Sequence, residues 1–446
     1  MATVHAPPLV DQSTVLAPMW TACPRCGARA KRNEVRRFVR KQASVEGVQR
    51  VAVRVGCYLC PACPAGQRWF RLVPPGFERR CAYTSGTRDA VVRLVRTYKM
   101  SFTSAAALAR ELLHLDDLAD TTVMRWHRAD GEAVDLQAHL RSALNAFSGQ
   151  MAIDEVYDGT YYVIRVTDPV NRIELLARMG EGSPTADDVA DLLLDLRAFG
   201  FQPSLIVTDG SSLYPAVLEE IFPDAAHQLC VFHFLQGANE TLSRAWHAAI
   251  ASMPQPKKRG RGRPKKRGRP RADKAKRAAI GTVRRCRYLT FKRVLDAPQQ
   301  ALLDAAMSLC PPLRVLRRLV VALHELCHAT THDDAAARRS ALLREAEFQE
   351  VPGAVRILGA LDDDRAFQRL FRHLDFENAE RTSNHAEREN REFRKRQKSH
   401  YKLRTRRSMR AFVHLMTTRT APAVEPRRLM RREPPGGALS KEVTAN

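Results

Sequence analysis

Five positions, three acids, a cysteine and a histidine, set the chemistry this chain can attempt. Asp154 closes the apolar run MAID, and Asp209 closes the apolar run SLIVTDG (204–210). Cys230 and His233 follow in a C-x-x-H inside FPDAAHQLCVFH (222–233). Far downstream, Glu387 stands in TSNHAEREN (382–390), at the head of a strongly basic stretch. Carboxylates brought together from distant positions can hold two divalent ions about 3.5–4 Å apart, the arrangement that phosphodiester cleavage uses. Magnesium accepts a few carboxylates plus substrate oxygens and needs no full protein cage. Asp154 competes for this role with Glu155 and Asp158, and Glu387 with Glu389 and Glu380. Asp154 is preferred because it follows MAI directly, and Glu387 for its place in the TSN-x-x-E phrase.

These residues need elements to carry them. MAIDEVY, YYVIRVTD, RIELLARM and SLIVTDG read as strands, with Asp154 and Asp209 each expected at a strand end. TADDVADLLLDLRAFG reads as a helix with a glycine stop, SSLYPAVLEEIF as a second helix, and QLCVFHF as a strand or helix start. The order β-β-β-α-β-α-β predicts an α/β layer. Residues 240–375 are mostly helical in pattern. A long basic helix is expected from about Thr382, with Asn384, Arg391 and Lys395 on the face of Glu387, at helical spacing, where a DNA backbone could lie.

A second set of ligands lies near the N-terminus. CPRC supplies Cys23 and Cys26, and CYLCPAC supplies Cys57, Cys60 and Cys63. Zinc takes four soft ligands in a tetrahedron, and two C-x-x-C knuckles supply two each. The preferred set is Cys23, Cys26, Cys60 and Cys63, with Cys57 as an alternative to Cys63. VQRVAVRV (48–55) and QRWFRLV (67–73) are strand candidates between and after the knuckles, so a zinc ribbon is predicted. Such pairs favour a reducing compartment over disulfides. Next come three helical segments, RDAVVRLVRTY, SAAALARELLHL and DTTVMRWHR, with Ser104 and Asp120 as candidate caps. They fit a helix-turn-helix whose third helix offers Thr121, Thr122, Arg125 and Arg128 to a major groove.

Charge points to a polyanionic partner. The 446-residue chain carries a net +25, ample length for several domains. Thirteen Lys/Arg against one Asp fall in residues 254–277, and eleven against two Glu in 388–410, whereas 151–233 holds fourteen acids against four Arg. The first of these stretches has almost no apolar content and contains RGRP twice, at Arg261–Pro264 and Arg267–Pro270. Arg261, Arg263, Arg267 and Arg269 can follow a narrow A·T minor groove, and the segment resembles the AT-hook motif. No run approaches the roughly 20 apolar residues of a membrane span, and MATVHAPPLVDQ lacks the pattern of a secretory signal. HELCH (324–328) matches the zinc-protease H-E-x-x-H, but no third ligand follows, so His324 and His328 read as ordinary helix residues.

AIDEVYDGTYY, the IVTDG–LYPAVLEEIFPDAAHQLCVFH block and TSNHAEREN–REFRKRQKSHYKLRT together resemble DDE transposases of bacterial insertion sequences. The resemblance spans residues 150–416 and is to the subgroup in which the second aspartate is followed by C-x-x-H and a helical insertion, as in Mutator-like and hAT-like enzymes. It implies an α/β RNase H-like core with an all-α insertion, behind an N-terminal zinc ribbon and helix-turn-helix. It puts the triad on Asp154, Asp209 and Glu387 and the C-x-x-H on Cys230 and His233. It further implies Mg²⁺-dependent (or Mn²⁺-dependent) cleavage of element ends by two ions, then attack of the freed 3′-hydroxyl on target DNA. The partners so implied are terminal inverted repeats, target DNA and further copies of the chain, with no membrane, in a bacterial cytoplasm and nucleoid. The expected division is a loose leader 1–20, ribbon 21–80, helix-turn-helix 84–145, first core part 148–240, helical insertion 241–375, completing helix region 376–418 and loose tail 419–446. The rival from another class is a sequence-specific DNA-binding regulator that keeps the fold without catalysis. The basic RGRP insert departs from the plain family pattern.

Overall fold

The computed structural model of the chain describes residues 9–10, 15–73, 77, 81–256, 271–400, 403, 405–419 and 425–432. The chain divides into two compact units, 1–134 with 392–416 and 135–391 with 417–446.

In the first unit a six-stranded sheet is built from β1 (Leu9–Val10), β2 (Val15–Leu16), β3 (Trp20–Ala22), β4 (Arg29–Ser44), β5 (Gly47–Leu59) and β6 (Trp69–Arg71). β4 and β5 form one long antiparallel hairpin, from Lys31↔Leu59 to Ser44↔Gly47, with a register shift between Arg32 and Glu34. β5 contains the strand expected over 48–55, although residues 51–53 and 55–58 are buried without alternation. β4 was not foreseen: its run of Lys and Arg hides a strand that is paired along most of its length with β5 and at its start with β3. β1 and β2 pair parallel with β5, so the stretch expected to be a loose leader contributes two short strands.

Three helices follow: α1 (Ser85–Arg96), α2 (Phe102–Leu113) and α3 (Asp120–Glu132). Val91, Val95, Ala105, Ala109 and Val123 form their buried seam. The caps differ from expectation. Ser101 caps α2 by accepting the N–H of Ser104 at 3.0 Å. Asp120 is the first residue of α3 rather than its cap, a position where a carboxylate favours the helix dipole.

The second unit opens with α4 (Leu136–Asn145), which the sequence had grouped with the preceding helices. Leu140 and Ala143 instead join the core of the next sheet. That sheet comprises β7 (Gln150–Asp158), β8 (Tyr161–Asp168), β9 (Ile173–Glu181), β10 (Leu205–Thr208) and β11 (Ala226–Leu229), in the order β11-β10-β7-β8-β9. β7, β8 and β9 are a meander, while β10 and β11 run parallel to β7. α5 (Ala186–Phe199) and α6 (Pro215–Ile221) supply the crossovers. α5 starts on a Thr185–Asp188 capping box and stops at Gly200, whose φ of +111° suits glycine. Met151, Ile153, Ile164 and Ile206 pack on Leu192, Leu193, Leu196 and Leu218, covering one face.

After β11 the chain is helical through α7 (Val231–Ser252), α8 (Arg271–Arg285), α9 (Arg287–Phe291), α10 (Ala297–Leu309), α11 (Pro312–Leu326), α12 (His332–Arg344), α13 (Ala346–Gln349), α14 (Ala354–Asp362) and α15 (Asp364–Leu370). These share a separate core around Leu242, Trp246, Leu319, Leu323 and Leu358. β12 (Phe376–Glu377), α16 (Asn384–His400), α17 (Arg406–Thr417) and β13 (Met430–Arg431) complete the described chain. The boundary between units falls inside α16, between Arg391 and Glu392.

The expected loose tail is partly tied down. β13 pairs with β12, Leu429 N–H donates to Ser148 O at 2.7 Å, and Arg427 N–H donates to Asn171 Oδ1 at 2.9 Å. Arg428 Nη2 donates to Asn145 O at 2.9 Å. In the first unit, α3 and α17 cross at backbone distance: a Cβ on Gly131 would fall 2.2 Å from Ala411 O.

Candidate functional site

Asp154 lies inside β7, not at its end, because β8 continues to pair with β7 as far as Asp158↔Tyr161. Alternation along the strand puts Ala152, Asp154 and Val156 on one face and Met151, Ile153 and Glu155 on the other. β10 ends at Thr208, and Asp209 follows at once. β10 and β7 pair as Val207↔Ala152. The pairing ends there, and Asp209 lies two residues further on, just past the end of β10. Ala152, Val207 and Cys230 form a small apolar patch on this same face.

α16 brings Glu387 to the patch in its first turn, half-buried. The junction of β11 and α7 anchors the approach. Cys230 Sγ accepts the N–H and the hydroxyl of Ser383, both at 3.3 Å, and Val231 N–H donates to Arg381 O at 3.1 Å. His233, one turn into α7, places Nε2 3.2 Å from Glu387 Oε1 as an ion pair, without hydrogen-bond alignment. The neighbouring Cys230 raises the His233 imidazole to about 9, helped by the Glu387 and Asp154 charges. Desolvation pushes the Cys230 thiol up, but hydrogen bonds from His233 and Ser383 hold it below its ordinary value. Cys230 and His233 thus join sheet to helix.

Burial raises the Asp154 carboxyl to about 7, with the Glu155 and Glu387 charges adding to the shift and His233 opposing it. Asn390 Nδ2 donates to Asp154 Oδ2 at 2.7 Å. Asn390 is itself held by Arg165, whose Nε donates to its Oδ1 at 3.0 Å. Arg165 is fully buried and ion-paired to Glu174, which also accepts from Thr417 at 3.1 Å. Asp209 Oδ1 accepts the N–H of Ser211 at 2.8 Å. Asp154 and Glu387 therefore lie on the side of the sheet that α16 covers, while Asp209, just past the end of β10, adds its charge to those acting on Glu155 and Tyr214. Asp154, Asp209 and Glu387 do not converge as tightly as a closed ligand set: among the described residues, one group of three or more potential ligands has all its ligand atoms within 4.8 Å, and it is Cys23, Cys26, Cys60 and Cys63.

The competing acids are otherwise engaged. Glu155 faces the opposite side and accepts the hydroxyl of Tyr214. Glu389 is buried and receives Arg419 Nη2 on both oxygens, at 2.9 and 2.6 Å. Glu380 is exposed and meets Gln150 through its backbone. The side chain of Asp158 is outside the described ones. Arg165, Glu174, Tyr214 and Asn390 were missed from sequence. A lone arginine inside the apolar run YYVIRVTD was the available signal, since such a charge demands a buried partner.

In the first unit, Cys23 follows β3, and its knuckle closes through Gly27 N–H to Cys23 O at 2.9 Å. Cys60 and Cys63 follow β5. Sγ separations are 3.8 Å for Cys23–Cys63, 3.5 Å for Cys26–Cys60 and 3.6 Å for Cys26–Cys63. A tetrahedral zinc with bonds of about 2.3 Å needs edges of about 3.8 Å, so these four thiols fit the ion. Backbone N–H groups, that of Arg25 first, bring Cys23 down to about 6, whereas the bond to Cys26 drives Cys63 up to about 12. Cys57 lies within β5, outside the group.

The residues expected to meet DNA are distributed over both units. On α3, Thr121 and Arg125 are exposed and Thr122 and Arg128 half-buried. Arg125 Nη2 donates to Thr122 Oγ1 at 3.1 Å, and Arg128 lies 3.8 Å from Glu132. Asn384, Arg391 and Lys395 are exposed on α16. Arg261, Arg263, Arg267 and Arg269 lie outside the described residues. In HELCH, α11 ends at Leu326, so His328 lies past the helix, with Nδ1 at 2.7 Å from His324 O. No described helix is long and apolar enough to cross a membrane.

No protein-family model matches the chain, and no curated protein matches it either. Among solved structures it is similar to the Drosophila P element transposase strand transfer complex, at 12% identity and a TM-score of 0.37, covering 77% of this chain and 93% of that one.

Proposed function

We propose that the chain is a DNA transposase of the DDE class, with an RNase H-like catalytic sheet and an all-α insertion. The observation that carries this reading is that α16 brings Asn390 to Asp154 and Glu387 to His233, with Asp209 just past the end of β10, the strand beside β7. The sheet order β11-β10-β7-β8-β9, a meander extended by two parallel strands, supports the same fold. Hard carboxylate oxygens suit Mg²⁺ or Mn²⁺, and Asp154, Asp209 and Glu387 would hold two such ions. Bound there, the ions would activate water or a 3′-hydroxyl and steady the leaving oxygen.

The chain's own residues do the positioning. Asn390, fixed by Arg165, orients Asp154. His233 sets the Glu387 carboxylate, and Cys230 holds the start of α16 through Ser383. α1, α2 and α3 would act as a helix-turn-helix, reading terminal sequence through Thr121, Thr122, Arg125 and Arg128. The ribbon, closed by zinc on its four cysteines, would assist it. Asn384, Arg391 and Lys395 would contact the phosphate backbone, and Arg261, Arg263, Arg267 and Arg269 an A·T-rich minor groove. Affinity for DNA should then fall steeply with salt. Further copies of the chain on the same DNA would complete the assembly.

The test uses purified full-length protein and DNA carrying the ends that flank its gene. Wild type should cleave and join those ends with Mg²⁺ or Mn²⁺, while Asp209→Asn should bind them equally and cut nothing. Binding without cleavage by wild type would leave a regulator, and hydrolysis without joining a plain nuclease.

A further inference from the structure

One face of the N-terminal sheet carries aromatic rings and cations that neither the zinc group nor the three helices employ. The cross-strand pairs Trp20↔Lys31, Lys31↔Leu59 and Leu59↔Trp69 line up as a single row over β3, β4, β5 and β6. Every member of the row is exposed, Trp20 by 44% and Trp69 by 52%. Large rings left in water on a sheet are costly, and here they are framed by charge. The Arg29 guanidinium lies 4.7 Å and the Lys31 ammonium 5.9 Å from the Trp20 ring centre. Beside Trp69 a hollow of about 370 Å³ is lined by Arg25, Glu34, Arg36 and Arg71, with Glu34 and Arg36 paired at 2.7 Å.

We infer that this sheet face is a stacking platform for single-stranded DNA. Trp20 and Trp69 lie three strand spacings apart, about 14 Å, the breadth over which a four-stranded sheet stacks two or three bases on its aromatics. An unpaired base offers a flat π-face that a paired base keeps inside the duplex. Arg29, Lys31, Arg25 and Arg71 are placed to meet the phosphates between bases, and Arg29 also steadies the Trp20 ring. A protein partner would be served by the apolar residues but not by this ring of cations, which matches a polyanion. The inference is independent of the proposed strand chemistry, since it invokes no carboxylate and no divalent ion.

The test measures fluorescence anisotropy of labelled oligo(dT) and of a matched duplex with the full-length zinc-loaded protein, without Mg²⁺ or Mn²⁺. Wild type should bind oligo(dT), with tryptophan emission quenched. Trp20→Ala and Trp69→Ala should each weaken oligo(dT) binding roughly tenfold and leave the duplex affinity unchanged. Trp20→Phe and Trp69→Phe should recover most of the loss. Zinc content shows that each variant is folded, and both positions are open enough to tolerate change. The inference is overturned if wild type ignores oligo(dT), if the alanine variants bind it normally, or if single strand and duplex weaken together. It is overturned equally if the variants lose only self-association in sedimentation, which would assign the face to a second copy.

Discussion

On the proposed reading the cysteine cluster and the carboxylate face both receive cations, yet they are held open in opposite ways. The four thiols meet within 4.8 Å of one another over a core of six residues, Cys23, Ala30, Tyr58, Cys60, Cys63 and Phe70, half of them ligands. Little but the ion can hold that corner together. The carboxylates, by contrast, sit on a sheet whose other face is packed with the leucines and isoleucines of α5 and α6. Each has a neutral or cationic partner from the chain: Asn390 for Asp154, Ser211 for Asp209, His233 for Glu387. A soft, closed site makes its metal part of the fold. A hard, open site keeps its shape without metal and stores its readiness as crowded negative charge.

The sharpest way to break the contrast is to remove one ligand on each side. Cys60→Ser should lose the zinc and unfold the ribbon, because structural zinc contributes on the order of 10 kcal/mol to small domains. Hydrogen exchange should then rise across 20–71 and stay unchanged across 150–229, with zinc per chain falling to zero. Asp154→Asn should do the reverse. Strand cleavage should fall by at least about 10³-fold, the scale of a lost divalent-ion contribution, while ribbon protection is unaffected. The Asp154 carboxyl, at about 7 in the fold, lies above its free value of 3.8. The folded state therefore gives up stability as pH rises between those values, and Asp154→Asn should melt higher than wild type at alkaline pH without divalent ions.

Smaller changes sharpen the comparison. His233→Ala removes the partner of Glu387 together with the contact to Cys230, so cleavage should drop by roughly 10- to 100-fold with DNA binding intact, the usual scale for a residue that orients a metal ligand. An unchanged rate would remove His233 from the site. The mildest effect is on pH. Manganese binds the ionised carboxylate, so its affinity, read by titration calorimetry, should climb by up to about tenfold per pH unit toward 7 and level off above it. Affinity that is flat across this range would contradict the crowded Asp154.

Much of this was legible in sequence. YYVIRVTD matched β8 residue for residue, and TADDVADLLLDLRAFG carried both the capping box and the glycine stop of α5. Two C-x-x-C knuckles located the thiols because tetrahedral ligation constrains spacing so narrowly. Asp154 was recognisable as an acid after an apolar run, but its place within β7 was not. MAIDEVY reads as a strand, and the pairing offered by β8 carries it on to Asp158 with Asp154 in its interior. β4 was hidden for the same reason: a strand full of Arg and Lys becomes a strand through its neighbour. The relay from Glu174 through Arg165 and Asn390 to Asp154 joins residues over 200 positions apart, and no local pattern announces it.

The anchoring of residues 427–431 bears on how the gene product can be handled. Leu429 and Arg428 reach back to the loop that leads into β7, the strand bearing Asp154. A shortened version ending before Glu425 would strip donors from the carbonyls of Asn145 and Ser148 and leave β12 without its mate. Expression trials that trim this end for solubility should therefore stop no earlier than Arg432. Activity lost on deeper trimming would reflect a loosened hinge at the root of β7 rather than any missing chemical group.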